Sequence, residues 1–145
     1  IFGEKDFQQY LLIKYINEQY FQKDDIQIIL SPTIRMKSGL AFSSRNIRLS
    51  DDQITNAALA FQSIKNTVLD YFRATGLFNF ENLIPQLGRV TYQYVKIYNE
   101  KYLYDKHGLK IDDNCKQKNF RLFIALEIDN VRLIDNYLVE GYDIT

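Results

Sequence analysis

The residues of this 145-residue chain best suited to chemistry are two adjacent hydroxyls and a guanidinium, Ser43, Ser44 and Arg45, in the stretch SGLAFSSRN. They lie in a segment, residues 26–50, with four basic residues and no Asp or Glu, although the whole chain has 18 basic and 18 acidic residues. Hydroxyls and amides in a loop can surround a phosphate, and arginine adds a two-pronged, charge-assisted contact. The pattern predicts a phosphate-binding loop; a surface turn with a chance cluster of charge is the alternative.

A second group of polar side chains lies near the start of the chain, on one face of a predicted helix. Lys5 and Gln9 are four positions apart and Asp6 and Gln9 are three apart, so an ammonium, a carboxylate and an amide share that face. Gly3, just before them, allows a ligand to approach the backbone closely, and a helix N-terminus favours anions. The spacing indicates a ligand-binding group; a solvated helix face with a Lys–Asp pair is the alternative.

The first half of the chain predicts the elements that position these two groups. Apolar residues at helical spacing predict a helix from about Lys5 to Tyr20, and IQIIL (26–30) predicts a buried strand that leads into a loop at Pro32. The basic loop follows, over 31–49. A capping-box pattern at Ser50 and Gln53 then begins a long helix, for which Gly76 is the expected C-terminal cap.

The second half of the chain predicts mostly strands. The predicted elements are a short helix at 79–88, a strand at 89–98, a polar loop at 101–119 and a hairpin with strands at 120–128 and 131–135. Pro85 disfavours the short helix, and Asp129-Asn130 fits a tight turn between the hairpin strands. This order predicts the end of an α/β domain followed by a small α+β domain with a long helix and a three-stranded antiparallel sheet.

Composition argues against several classes of protein. Zero net charge disfavours a general binder of nucleic acid or of membrane surfaces. The single cysteine, Cys115, excludes an internal disulfide framework and fits a reducing compartment, and no apolar run approaches the ~18 residues needed to cross a bilayer. The single histidine, His107, has no second His or Cys at ligand spacing, so no metal site is predicted. We expect a cytoplasmic protein.

Three stretches, in this order and at these separations, resemble one family. They are FGEKDFQQ (2–9), PTIRMKSGLAFSSRNIRLS (32–50) and RLIDN (132–136), and they are similar to the back half of the pantothenate synthetases, or pantoate–β-alanine ligases. The resemblance implies an ATP-dependent ligase of pantothenate biosynthesis. ATP and pantoate would form a pantoyl adenylate and pyrophosphate, with Mg²⁺ assisting, and β-alanine would then displace AMP.

The resemblance also implies a domain organisation and an oligomer. Residues 1–33 would be the end of a Rossmann-like domain that binds ATP and pantoate. Residues 34–145 would be a C-terminal lid domain that carries the phosphate-binding loop. Members of the family are generally homodimers, so the resemblance implies a homodimer.

Roles for single residues follow from the resemblance, position by position. Lys5 would contact the phosphates of ATP, and Gly3 and Asp6 would contact its ribose. Gln9 would hold pantoate, and the backbone of Ile34 would meet the adenine.

The resemblance also implies a role for the serine–arginine stretch. Ser43, Ser44 and Arg45 would grip the triphosphate, in the manner of the KMSKS loop of class I aminoacyl-tRNA synthetases. Together with Lys5 they form the implied catalytic set. Phe42 stands where the family usually has Met or Leu.

The front half of the family carries an HxGH-type motif, the Mg²⁺-associated acids and one pantoate-binding Gln. A chain with one histidine cannot contain that motif, so we predict that the isolated chain makes no pantothenate. Two alternatives remain. One is another HxGH/KMSKS-type nucleotidyltransferase, such as an aminoacyl-tRNA synthetase, which EKDFQQ and the unbroken GLAFSSRN disfavour. The other is a non-catalytic module that binds anions or dimerises.

Overall fold

The structure is a computed structural model that describes residues 1–21, 26–76, 79–99 and 120–139. The predicted loop at 101–119, with His107 and Cys115, lies outside these ranges. None of the helices within them has a stretch that is long and apolar enough to cross a membrane.

The chain begins with a βαβ unit. Strand β1 (Phe2–Gly3) leads through a 3₁₀ turn (Glu4–Asp6) into helix α1 (Phe7–Tyr20), and strand β2 (Leu30–Ser31) returns parallel to β1. Parallel strands need a crossover connection of this kind, because a tight turn would make them antiparallel. The first predicted helix is confirmed, with its opening residues in the 3₁₀ turn.

The predicted buried strand at 26–30 is wrong for most of its length. Only Leu30 lies in β2, while Ile26 and Ile29 are 51% and 49% exposed. Among the described residues β2 pairs only with the two-residue strand β1, so the rest of the apolar run is not part of a sheet. Strand β1 itself was not predicted, since two residues are too short to show a period.

Helix α2 (Asp51–Thr75) has both of the ends that the sequence predicts. At its start the Ser50 hydroxyl accepts from the Gln53 amide at 3.3 Å, and the Gln53 side chain accepts from the Ser50 amide at 2.7 Å. At its end Gly76 adopts a left-handed conformation with φ of +67°, which glycine reaches without the steric cost of a Cβ. The amide of Gly76 donates to the carbonyl of Phe72 at 2.8 Å.

The core lies between α2 and an antiparallel sheet of three strands. The strands are β3 (Val90–Asn99), β4 (Phe120–Ile128) and β5 (Val131–Val139), in the order β3-β4-β5. The apolar face of α2 packs on this sheet, with Ile64, Val68 and Phe72 at most 1% exposed. Phe72 meets Phe120 edge-on, with ring centroids 5.4 Å apart.

The hairpin of β4 and β5 is confirmed, and its second strand is longer than predicted. Asp129 and Asn130 both have positive φ, 46° and 62°, which matches the right-handed twist of the flanking strands. The predicted helix at 79–88 is instead a single 3₁₀ turn (Glu81–Leu83). The ring and missing amide of Pro85 prevent a longer helix there.

Side chains alternate between the two faces of a strand. In the central strand β4 both faces are buried. Phe120, Leu122 and Ile124 belong to the core under α2. Arg121 and Phe123 point the other way, and both contact the Phe7 ring at the start of α1. The fold class predicted from the sequence is confirmed, and the sheet joins the βαβ unit to the α+β unit.

Candidate functional site

A cleft of about 380 Å³ lies at the carboxyl ends of the two parallel strands, where α/β sheets generally bind their ligands. Four of the residues singled out in the sequence line it together: Gly3, Lys5, Asp6 and Ile34. The exposed ring of Phe42 lines it as well. Residues from two separate stretches of the sequence therefore share one concave surface.

The stretch 34–42, predicted as an irregular loop, is a short hairpin. Phe42 donates its amide to the Ile34 carbonyl at 2.8 Å, and Met36 donates to Leu40 at 2.8 Å. Gly39 has φ of +89° at the tip, a conformation that a residue with a Cβ rarely adopts. The hairpin returns the chain to the cleft, so that the serine–arginine stretch begins beside it.

The stretch Ser43–Arg45 forms the start of a 3₁₀ helix (Ser44–Arg48). The Ser43 hydroxyl accepts from the Arg45 amide at 3.2 Å, so part of its bonding capacity holds the backbone. Ser44 and Arg45 are exposed, and the Arg45 guanidinium makes no ion pair with any residue that the structure describes. Asn46 stabilises the turn, because its buried side-chain amide donates to the Ala41 carbonyl at 3.2 Å.

Lys5 connects the two polar groups that the sequence placed apart. Its ammonium donates to the carbonyl of Phe42 at 2.9 Å, directly before Ser43. The alternative Lys–Asp pair does not form between Lys5 and Asp6 within the described ranges. An ammonium has three donors, so the bond to Phe42 leaves donors of Lys5 for an anion in the cleft.

Gln9 lies in a separate, smaller pocket of about 80 Å³ beneath the first helix. Lys5 and Asp6 line this pocket as well as the cleft, and Tyr94 and Phe123 of the sheet form its floor. The structure therefore separates Gln9 from the cleft, with Lys5 and Asp6 between the two cavities.

An ion pair between Arg35, which is partly exposed, and the buried Asp135 connects the hairpin of residues 34–42 to the sheet. Arg35 donates to both carboxylate oxygens of Asp135, at 2.6 and 3.2 Å, and also to the Gly39 carbonyl at 3.2 Å. Tyr137 donates its hydroxyl to the same carboxylate at 2.7 Å. Burial, and then the charge of Asp135, raise the pKa of Tyr137, so this hydroxyl stays protonated and donates. The hydrogen bond to Asp135 is the main cause that raises the pKa of Arg35.

A second buried network holds the segment that carries Lys5. The side-chain amide of Asn136 donates to the carbonyls of Glu4 and Lys5, at 2.8 and 2.9 Å, while its oxygen accepts from Arg121 at 2.6 Å. Arg121 also pairs with Glu4 at 3.0 Å. The sequence analysis assigned no role to Asp135 or Asn136; the available signal was their place in RLIDN, one of the three stretches that resemble the family.

Two further features bear on ligands. A cavity of about 680 Å³ beside the start of α2 and the hairpin turn contains none of the site residues named above. The described residues contain no group of three or more His, Cys, Asp or Glu side chains that could hold a metal ion.

Comparisons with known proteins identify the family. The sequence profile for pantoate-beta-alanine ligase matches residues 1–138. The pantothenate synthetase of Thermodesulfovibrio yellowstonii is 32% identical over 149 residues, which cover 96% of this chain and 48% of that protein. The crystal structure of the pantothenate synthetase from Thermus thermophilus matches with a TM-score of 0.71 and 25% identity, over 94% of this chain and 48% of that one.

A third match has ligands. The pantoate-beta-alanine ligase from Francisella tularensis, complexed with beta-gamma ATP and beta-alanine, matches with a TM-score of 0.58 and 31% identity, over 94% of this chain and 41% of that one. The fold is thus an α/β unit joined to a small α+β unit, with a cleft at the ends of its parallel strands. The chain belongs to the pantoate-beta-alanine ligase family. It spans about half the length of the curated relatives it matches.

Proposed function

We propose that this chain is the C-terminal portion of an ATP-dependent ligase that condenses pantoate and β-alanine into pantothenate. One observation carries the proposal: Gly3, Lys5, Asp6 and Ile34 share a cleft, and Lys5 is bonded to the residue before Ser43. These are the residues to which the family resemblance gives roles with ATP. The relative crystallised with beta-gamma ATP and beta-alanine supports the same two substrates here.

In the proposed reaction the pantoate carboxylate attacks the α-phosphorus of ATP, and pyrophosphate leaves. The amine of β-alanine then attacks the acyl carbon of pantoyl adenylate, loses a proton, and expels AMP. Lys5, Ser43, Ser44 and Arg45 act in the first step, where negative charge gathers on the departing pyrophosphate. Exposed cations that have no carboxylate partner are free to stabilise that charge, and Arg45 is such a cation among the described residues.

The other substrate contacts follow from the two cavities. Gly3 lets the ribose approach the backbone, the Asp6 carboxylate accepts from ribose hydroxyls, and the backbone at Ile34 meets the adenine. Gln9 holds pantoate in the smaller pocket. Because Lys5 and Asp6 line both cavities, the pantoate carboxylate and the phosphates would meet beside them.

The proposal includes the organisation of the whole enzyme. Residues 1–33 end a Rossmann-like domain and residues 34–145 form a lid domain that closes over ATP. The enzyme is a cytoplasmic homodimer without nucleic-acid or membrane partners. Mg²⁺ would assist adenylation, and we assign none of the described residues to it because they offer no cluster of metal ligands.

The direct test is a product assay on the complete enzyme that contains this chain. With ATP, Mg²⁺, pantoate and β-alanine, it should form pantothenate, AMP and pyrophosphate in equal amounts. Without β-alanine, it should release pyrophosphate only in proportion to enzyme. Formation of ADP in place of AMP, or no pantothenate at all, would contradict the proposal.

The proposed role of Gln9 gives a separate prediction. Gln9→Ala should raise the KM for pantoate by roughly 5- to 150-fold, since leaving a hydroxyl-rich substrate unpaired costs about 1–3 kcal/mol. The KM for ATP should change little, because Gln9 lies outside the cleft. Steady-state kinetics would decide, with Gln62→Ala on the exposed face of α2 as the matched amide control. A raised KM for ATP with an unchanged KM for pantoate would refute this role.

A further inference from the structure

Asp135 and Asn136 are consecutive residues of β5, so the pleat of the strand sends their side chains to opposite faces of the sheet. Asp135 is 2% exposed and Asn136 is 4% exposed. Each is polar, although such burial is uncommon for their residue types unless they are paired. Both have partners outside the sheet, and those partners belong to the two segments that line the cleft.

Asn136 holds the first of these segments through the backbone. Both hydrogens of its amide are used, on the carbonyls of Glu4 and Lys5, and its oxygen accepts from Arg121. Since Arg121 also pairs with Glu4, the 3₁₀ turn is held at three points. The position of the Lys5 backbone, from which the ammonium reaches Phe42, is thereby fixed relative to the sheet.

Asp135 holds the second segment through Arg35. The carboxylate receives both arms of the guanidinium, and Arg35 in turn donates to the Gly39 carbonyl across its own hairpin. The same carboxylate accepts from the backbone amide of Asn136 at 2.9 Å. The interactions of Asp135 and of Asn136 are therefore coupled to each other through a hydrogen bond within β5.

We propose that Asp135 and Asn136 are positioning residues that set the distance between Lys5 and the Ser43–Arg45 turn. The inference rests on the proposed function, because it gives those residues their task with ATP. Neither positioning residue needs to touch a substrate: Asn136 acts through the backbone of Lys5, and Asp135 acts through Arg35 and the hairpin of residues 34–42. Adenylation, which needs both groups on one triphosphate, is the step that depends on their separation.

Two near-isosteric variants each disrupt one of these interactions, the Asn136 hydrogen bonds or the Asp135–Arg35 ion pair. Asn136→Asp keeps an acceptor for Arg121 but turns an oxygen toward the Glu4 and Lys5 carbonyls, where a donor was. Asp135→Asn removes the charge that Arg35 meets. Gln53→Ala is the structural control. It removes a capping contact of α2 and a hydrogen bond to Asp129, which lies in the turn between β4 and β5.

The first measurement, hydrogen exchange in the complete enzyme, does not depend on any reaction. Asn136→Asp removes two hydrogen bonds, so it should speed amide exchange in residues 2–7 by roughly 30-fold, at about 1 kcal/mol per bond. Asp135→Asn should speed exchange in residues 34–42 by roughly five- to tenfold, as expected for one lost hydrogen bond. The centre of α2 should keep its wild-type rates in both variants. Uniform acceleration over the whole chain, or no change in the named segments, would overturn the positioning role.

The second measurement uses the adenylation half-reaction. Asn136→Asp should slow adenylation by about 10²-fold, the cost of a displacement of about 1 Å in a reacting geometry. Combined with Lys5→Ala, it should add no more than about twofold, because both changes remove the same contribution. Multiplied effects in the double variant, or equal slowing by Gln53→Ala, would overturn the proposal.

The two failures are distinguishable. If wild-type enzyme forms no pantothenate, the proposed function fails, while the exchange measurement still decides whether the two residues hold their segments. If wild-type enzyme is active and Asn136→Asp matches it in both measurements, the positioning role alone fails.

Discussion

Replacing Arg45 by Ala should slow adenylation by on the order of 10²–10³-fold, the usual cost of losing one well-placed donor to a developing charge. The guanidinium is exposed, three residues after Phe42 of the cleft lining, and it is unpaired with any carboxylate in the described part of the chain. Its contact with the β- and γ-phosphates should strengthen as negative charge gathers on pyrophosphate. An interaction that is stronger in the transition state than in the ground state is one that lowers the barrier.

The second half-reaction supplies an internal control for this prediction. Pyrophosphate has left before β-alanine attacks, so Arg45→Ala should change the aminolysis of supplied pantoyl adenylate far less. Arg45→Lys should recover only part of the loss, because an ammonium cannot reproduce a two-pronged contact. Arg48→Ala, an exposed cation three residues further on, should alter either step by no more than about twofold.

Rapid-mixing measurements of both half-reactions in the complete enzyme would decide the matter. Slowing confined to adenylation assigns the guanidinium to the phosphates. Equal slowing of both steps would mean that the turn serves closure of the site in general, and the phosphate assignment would be wrong.

The isolated 145-residue chain should form no detectable pantothenate. Adenylation requires groups on both sides of the triphosphate to be oriented together, and much of the rate enhancement is lost when one set is absent. The HxGH-type motif of the family needs two histidines, and this chain has one. The cleft that is present should still bind ATP, but weakly and with strong dependence on salt, since exposed charges are screened.

Purified chain and complete enzyme, assayed side by side at equal concentration for pantothenate, test this prediction. Product from the chain alone, above the level of a Lys5→Ala version of the same chain, would overturn it. Loss of ATP binding on raising the salt concentration would support the electrostatic part of the account.

Much of the fold could be predicted because its signals are local. Helix α2 has an apolar stripe, a capping box at Ser50 and a glycine at position 76, and all three agree on one element. The hairpin turn at Asp129-Asn130 is also a local signal. The prediction of a strand at 26–30 was wrong for most of that stretch. An apolar run indicates only that its residues favour burial, whereas a strand also needs a partner strand from elsewhere in the fold.

The residues of the site could be predicted from the sequence, but the contacts that bring them together could not. Lys5 and Ser43 could be named from residue types and the family resemblance, yet only the three-dimensional structure brings Lys5 to the carbonyl of Phe42. The roles of Asp135 and Asn136 depend on contacts with residues 100 or more positions earlier in the chain. Such contacts have no period and no spacing rule, so the sequence could draw attention to these two residues but could not show which residues they contact.

The central claim is that one cleft and one turn hold the same ATP molecule. A crystal structure of the complete enzyme with a non-hydrolysable ATP analogue tests it most directly. We predict phosphates between Lys5 and the Ser43–Arg45 turn, the ribose beside Gly3 and Asp6, and the base against the backbone of Ile34. A nucleotide bound elsewhere, or phosphates that contact neither Lys5 nor Arg45, would contradict the account.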